Sequence, residues 1–141
     1  MILKKLMSLK GRQALVTGAT GHLGQVISET LAELGANLFL TDLSEKRLKK
    51  LQLKIMRKYK VRCKTVTCDL EAENDRWQVL EEVKSHRHGL NILVNNAAFV
   101  GDFRANGWAV SLEKQSIKTW RRAMEVNLTA AFQLGQIFRP T

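Results

Sequence analysis

The stretch that most constrains this chain is Thr17-Gly18-Ala19-Thr20-Gly21-His22-Leu23-Gly24. It follows the apolar run Ala14-Leu15-Val16 and opens a segment in which Leu23, Val26, Ile27, Leu31 and Leu34 recur at helical spacing. A strand, a glycine turn and a helix start, in that order, make an anion site. The glycines let the backbone turn tightly and lie close to a pyrophosphate. The first helical turn then offers unpaired N–H groups and the positive end of its dipole. Glycines alone are common in turns, so the flanking strand and helix carry weight, and so does Asp42. That residue closes the next apolar run, Leu38-Phe39-Leu40, eighteen residues after Gly24. A carboxylate there accepts hydrogen bonds from the hydroxyls of an adenosine ribose. The residues point to dinucleotide binding.

The rest of the chain repeats the same alternation. Strands are expected at residues 12–17, 37–41, 61–68 and 90–94, with helices from the glycine turn through Leu34, from Ser44, over residues 73–85 and over residues 117–138. Gly35 falls just past the first helix, where a left-handed backbone is wanted, and Ser44 is placed to cap the second. Ile92-Leu93-Val94, like the two earlier apolar runs, shows no alternation, the pattern of strands buried on both faces of a parallel sheet. Four β–α units in succession predict a doubly wound α/β domain of Rossmann type in a single domain of 141 residues. In the third helix Trp77, Leu80 and either Val79 or Val83 are expected to face inward.

The net charge of +10 is concentrated between Lys46 and Lys64. A nucleic-acid site would use such a footprint, but Leu48, Leu51, Ile55 and Tyr59 recur at helical spacing, which makes the charges the solvated side of an amphipathic helix. No aromatic residues are interleaved for base stacking, and no nucleic-acid partner is expected. Cys63 and Cys68 have no metal-ligand spacing, so reduced thiols, a cytoplasmic location and no metal are expected. No apolar run reaches membrane-spanning length.

Two segments stay open on residues alone. Residues 99–113, rich in Gly, Asp, Asn and aromatics, leave the carboxyl end of the fourth strand and form either part of a substrate pocket or a surface connection. The final helix carries a stripe of Trp120, Met124, Asn127, Ala131, Leu134 and Phe138. Its polar member, Asn127, is either a core amide bonded to nearby backbone or an amide aimed at the site, holding a water or backbone group in place.

With these pieces in place, residues 8–141 resemble the short-chain dehydrogenase/reductase family. Matching segments are the glycine turn, Asp69-Leu70 after the third strand, Asn95-Asn96-Ala97-Ala98 after the fourth, and Arg122-Ala123-Met124-Glu125-Val126-Asn127-Leu128 in the last helix. The resemblance implies an oxidoreductase that transfers hydride between a nicotinamide cofactor and a hydroxyl or carbonyl carbon of a small molecule. It implies a phosphate turn of Gly18, Gly21, Leu23 and Gly24 lined by Thr20 and His22, with the ribose on Asp42 and the adenine beside Leu43, Asp69 and Leu70. Asn96, Ala97 and Ala98 would form the wall beside the cofactor, and Asn127 would be the catalytic asparagine. Asp42 repels a 2′-phosphate and Leu43 offers it no positive partner, so NAD is expected over NADP, with Lys46 and Arg47 further along able to soften the preference.

The chain also departs from the family pattern. Its glycines are spaced as in the extended branch, many of whose members act on nucleotide sugars, so a sugar pathway is an alternative; Ala98 stands where the family has glycine. The family's chemistry uses a Ser, a Tyr and a Lys four residues after the Tyr, whereas here the one tyrosine, Tyr59, is followed at that distance by Cys63. The expectation is an N-terminal cofactor-binding half, inactive by itself, of an enzyme that forms homo-oligomers through the last helix. The alternative is a binding or interaction module without turnover.

Overall fold

In the computed structural model, which describes residues 5–85, 89–101 and 107–136, four strands form one parallel sheet. They are β1 (Gln13–Thr17), β2 (Asn37–Asp42), β3 (Cys63–Thr67) and β4 (Ile92–Val94), in the order β3-β2-β1-β4. Ala14, Leu15 and Val16 lie opposite Leu38, Phe39 and Leu40 on one side and Ile92, Leu93 and Val94 on the other. The connecting helices are α1 (His22–Glu33), α2 (Glu45–Tyr59) and α3 (Glu73–Lys84). After β4 come a 3-10 turn (Leu112–Lys114), α4 (Ile117–Met124), a π-turn (Glu125–Thr129) and α5 (Ala130–Gly135).

Side chains alternate across each strand, so every apolar run feeds two cores. Ala14, Val16, Leu38 and Leu40 pack with Ala32 of α1 and with Leu48, Leu51 and Ile55 of α2. Leu15 and Phe39 point to the opposite face, against Val79, Leu80 and Val83 of α3 and Ala130 and Leu134 of α5. Helices thus cover both faces of a parallel sheet, the doubly wound Rossmann-type arrangement expected from the sequence. Gly35 takes φ +96° just past α1, and the Ser44 hydroxyl accepts from the Arg47 N–H at the start of α2. Apart from Arg47, the basic residues of α2 lie on its outer side. Lys54 and Lys58 reach Glu29 of α1, which also accepts from the Tyr59 hydroxyl.

Three expectations need correction. Ile92, Leu93 and Val94 are half-buried rather than fully buried, because β4 is an outer strand of the sheet and pairs only with β1 among the described strands. Trp77 is 44% exposed, and both Val79 and Val83 turn inward with Leu80. Arg76 takes the inward position at the start of that face.

The last helix is also not one continuous α-helix. The Ala130 N–H donates to the carbonyl of Glu125, five residues back, and this wider turn changes the phase of everything after it. Trp120 and Asn127 are exposed, while Thr119, Ala123, Ala130, Gln133 and Leu134 are buried. Phe138, assigned to the same stripe, lies outside the described residues.

Candidate functional site

The carboxyl ends of all four strands open onto one crevice of about 900 Å³. Its floor is the glycine turn. Gly18 has φ +60°, and a Cβ there would lie 2.9 Å from the Cα of Ala97; a Cβ on Gly24 would lie 2.1 Å from the Gly18 carbonyl oxygen. Both positions need glycine, one for its dihedral and its approach to the residues after β4, the other for the tight seat of α1 on the turn.

The backbone donors of this turn divide into two groups. Ala19 N–H donates to the Thr41 carbonyl, Gly21 N–H to the Gly18 carbonyl, and Thr20 N–H to Asp42 Oδ2 at 2.8 Å. Those amides hold the turn together and are not available to a ligand. His22, Leu23 and Gly24 form the first turn of α1, whose N-cap residue, Gly21, has no capping side chain. Their N–H groups are the ones left for an anion, reinforced by the helix dipole. The Thr20 hydroxyl is buried without a hydrogen-bond partner among the described residues.

Asp42 stands in the crevice wall with each carboxylate oxygen engaged once, Oδ2 by Thr20 N–H and Oδ1 by Leu43 N–H, both at 2.8 Å. An ionised carboxylate offers about four acceptor sites, so each oxygen keeps one for a sugar hydroxyl. Beside it, the Arg47 guanidinium donates to the Thr20 carbonyl at 2.6 Å. The first turn of α2 carries Arg47 back to the crevice.

A second set of bonds fixes the wall after β4. The Thr17 hydroxyl accepts from the N–H groups of Asn96 and Ala97, at 3.1 and 3.0 Å. In return the Asn96 side-chain amide donates to the carbonyls of Thr17 and Gly18, at 2.9 and 3.1 Å. Asn96 therefore works on the protein's own backbone and locks the segment after β4 to the glycine turn.

Every residue assigned from sequence to the cofactor side lines the crevice: Gly18, Thr20, Gly21, His22, Leu23, Gly24, Asp42, Leu43, Asp69, Leu70, Asn96, Ala97 and Ala98. Asn127 does not. Its Oδ1 accepts from Phe99 N–H at 2.6 Å and its Nδ2 donates to the Phe99 carbonyl at 3.1 Å. The backbone it holds, that of Phe99, lies at the crevice edge, and Asn127 itself is exposed rather than in the core.

The sequence reading missed Glu71 and Arg122 as lining residues; Arg47, expected only to soften the cofactor preference, and Phe99, at the start of the open segment, line the crevice too. Arg122 grips Glu71 with bonds of 2.7 to 3.1 Å and lies over the Phe99 ring at 5.3 Å. Each sits next to, or one turn from, a segment that was singled out, which was the available signal. Of the open segment 99–113, Phe99, Val100 and Gly101 line the crevice, and Phe103 lies outside the described residues. Tyr59 is at the far end of α2, bonded to Glu29, and the described crevice lining contains no tyrosine and no lysine.

A doubly wound parallel sheet with a glycine-turn crevice at its strand ends, beside the reversal of strand order, defines a dinucleotide-binding fold. The chain belongs to the short chain dehydrogenase family, whose model matches residues 12–141. It is 32% identical over 130 residues to the 3-oxoacyl-[acyl-carrier-protein] reductase FabG of Aquifex aeolicus, covering 92% of this chain and 50% of that protein. Among solved structures it is similar to the L-sorbose reductase of Gluconobacter frateurii complexed with NADPH and L-sorbose. There the TM-score is 0.83 and the identity 28%, over 92% of this chain and 47% of that one. It is also similar to the RhlG/NADP active-site complex of Pseudomonas aeruginosa, with a TM-score of 0.78 and 29% identity over 93% of this chain and 48% of that one. The chain spans about half the length of the curated relatives it matches.

These neighbours overturn the expected preference for NAD, since several of the similar solved structures carry NADPH or NADP. The physical reason lies at Asp42 and Arg47. Two backbone N–H groups donate to Asp42, and Arg47 lines the crevice beside it with its guanidinium donating to the Thr20 carbonyl.

No helix among the described residues is long and apolar enough to cross a membrane, and no group of three or more potential ligands could hold a metal among them. Both cysteines are free and buried. Burial pushes the Cys63 thiol up to about 12 and the Cys68 thiol up to about 11.

Proposed function

We propose that this chain is the NADP(H)-binding part of an oxidoreductase that moves hydride between the cofactor and a hydroxyl or carbonyl carbon of a small molecule. One observation carries the reading: residues 22–24 at the uncapped start of α1, Asp42 and Arg47 line one crevice, an anion site, a carboxylate and a cation together. The N–H groups bind the pyrophosphate, Asp42 accepts from a ribose hydroxyl, and Arg47 pairs with the 2′-phosphate. Asp69 and Leu70 flank the adenine, and Asn96-Ala97-Ala98 form the wall leading toward the nicotinamide. The nicotinamide ring supplies or takes up the hydride. Asn127 acts at one remove, by holding the Phe99 backbone at the crevice edge.

No residue of the described crevice is a tyrosine that could move the accompanying proton. We therefore read residues 1–141 as binding cofactor without turnover by themselves, which also favours a binding-module reading for this chain alone. The two reduced thiols fit a cytoplasmic protein. The exposed Ile117, Trp120, Leu128 and Phe132 on the last helices fit a homo-oligomeric enzyme.

The test is titration of the 141-residue chain with NADPH and NADH, followed by cofactor fluorescence, beside a Gly24→Ala variant. NADPH should bind more tightly than NADH by about tenfold or more, and the variant should bind neither well. Folded protein that binds no dinucleotide would sink the proposal.

A further inference from the structure

Arg76 is a charged side chain on the inward face of α3, three residues before Val79, and it is 2% exposed. A guanidinium this deep is tolerable only when its N–H groups are paired. Three acceptors meet it, from three separate places in the chain. Nη1 donates to the Leu70 carbonyl at 2.5 Å, Nε to Gln133 Oε1 at 2.5 Å, and Nη2 pairs with Glu125 Oε1 at 2.7 Å.

One acceptor lies in the wall after β3, and the other two lie at and just beyond the π-turn of the last helix. Leu70 lines the crevice in the wall after β3. Glu125 is the first residue of the π-turn that carries Asn127, and Gln133 lies in α5, just beyond that turn. The planar fork of an arginine fixes the directions of its acceptors together, which a lysine ammonium cannot do. The neighbouring Glu71–Arg122 pair joins the same wall to α4 nearer the surface. Between them the two links fasten the wall after β3 to the helices that hold Phe99 through Asn127.

We infer that Arg76 is a positioning residue of the dinucleotide crevice: from inside the protein it holds the Leu70 wall and the Asn127 turn in a single mutual arrangement. The inference rests on the reading of the crevice as an NADP(H) site. Without this guanidinium the wall and the turn move independently, the Phe99–Asn127 bonds open more often, and cofactor binding weakens.

The experiment compares the 141-residue chain with Arg76→Met and Arg76→Lys. Hydrogen exchange is read at the Phe99 amide and, as an internal reference, at the Leu40 amide of β2, and NADPH affinity is measured in parallel. In Arg76→Met, exchange at Phe99 should rise by about tenfold more than at Leu40, NADPH should bind about tenfold more weakly, and Arg76→Lys should fall between. An equal rise at both amides, or no change at Phe99, overturns the inference, because general destabilisation would act on both. If the parent chain binds no NADPH, the functional reading fails and the Phe99-to-Leu40 ratio decides the role of Arg76 alone. If Arg76→Met does not fold, Glu125→Ala takes its place, and an unchanged ratio there overturns the inference.

Discussion

Asn127 and Phe99 exchange two hydrogen bonds, the amide oxygen accepting at 2.6 Å and the amide nitrogen donating at 3.1 Å. The side chain thus imitates a strand neighbour for a residue that has none. The segment after β4 leaves the sheet at this point, and its backbone needs a partner there. Replacing Asn127 with Ala should cost about 1 kcal/mol, since both bonds are solvent-accessible, measured as a shift of the urea midpoint. Asn127→Asp keeps the acceptor only, so it should recover part of the loss; equal losses for the two variants would contradict this account.

Gly24→Ala should be more severe. The added methyl meets the Gly18 carbonyl oxygen and the Ala19 backbone, none of which is a flexible side-chain end. Overpacking of this kind costs about 1–3 kcal/mol, and the seat of α1 on the turn shifts with it. Thermal unfolding should show the loss, and NADPH affinity should fall further than the change in stability alone explains.

Arg47→Glu tests the cofactor preference. It places a second carboxylate next to Asp42, where the proposed 2′-phosphate lies. Affinity for NADPH should drop by about tenfold or more while that for NADH stays near its parent value. Parallel losses for both cofactors would remove Arg47 from the 2′-phosphate site.

The Glu71–Arg122 pair gives a pH dependence. Hydrogen bonds from the Arg122 guanidinium hold the Glu71 carboxyl below its ordinary 4.5, against the opposing effect of burial. Because the folded value lies under the unfolded one, the contribution is complete above the unfolded value and is lost as pH falls through the folded one. The stability difference between the parent and Glu71→Gln should therefore shrink on acidification from neutral pH to about pH 3. A difference that persists through that range would mean the charge on Glu71 contributes nothing.

The thiols should be inert in the folded chain. With Cys68 near 11 and Cys63 near 12, at most about one thiol in a thousand is ionised at pH 8. Alkylation by iodoacetamide should thus track global unfolding. Rapid modification of Cys68, which lines the crevice, would show that its burial is transient.

The order of strands and helices was legible because Ala14-Leu15-Val16, Leu38-Phe39-Leu40 and Ile92-Leu93-Val94 are uninterrupted apolar runs set off by glycine, Asx and capping signals. The crevice lining followed, since parallel strands present their carboxyl ends together. What could not be read were effects that cross elements. The counted stripe is one residue out before the π-turn, where Thr119 and Ala123 are buried and Trp120 is exposed, and the extra residue of the turn changes the phase after it. Arg47 looks remote along the chain, yet one helical turn returns it to Asp42. Arg76 reads in the sequence like a surface arginine, and its acceptors lie at positions 70, 125 and 133, beyond the reach of any local pattern.

The glycine turn supplies its own scaffolding: three consecutive amides, at residues 19–21, are spoken for by Thr41, Asp42 and Gly18. A loop braced in this way keeps its outline without a guest. An incoming phosphate meets donors already aimed, and little ordering entropy opposes its arrival. Selectivity is then left to the side chains on the rim, so exchanging one cofactor for another should be a matter of resculpting α2's first turn while the turn beneath it stays untouched.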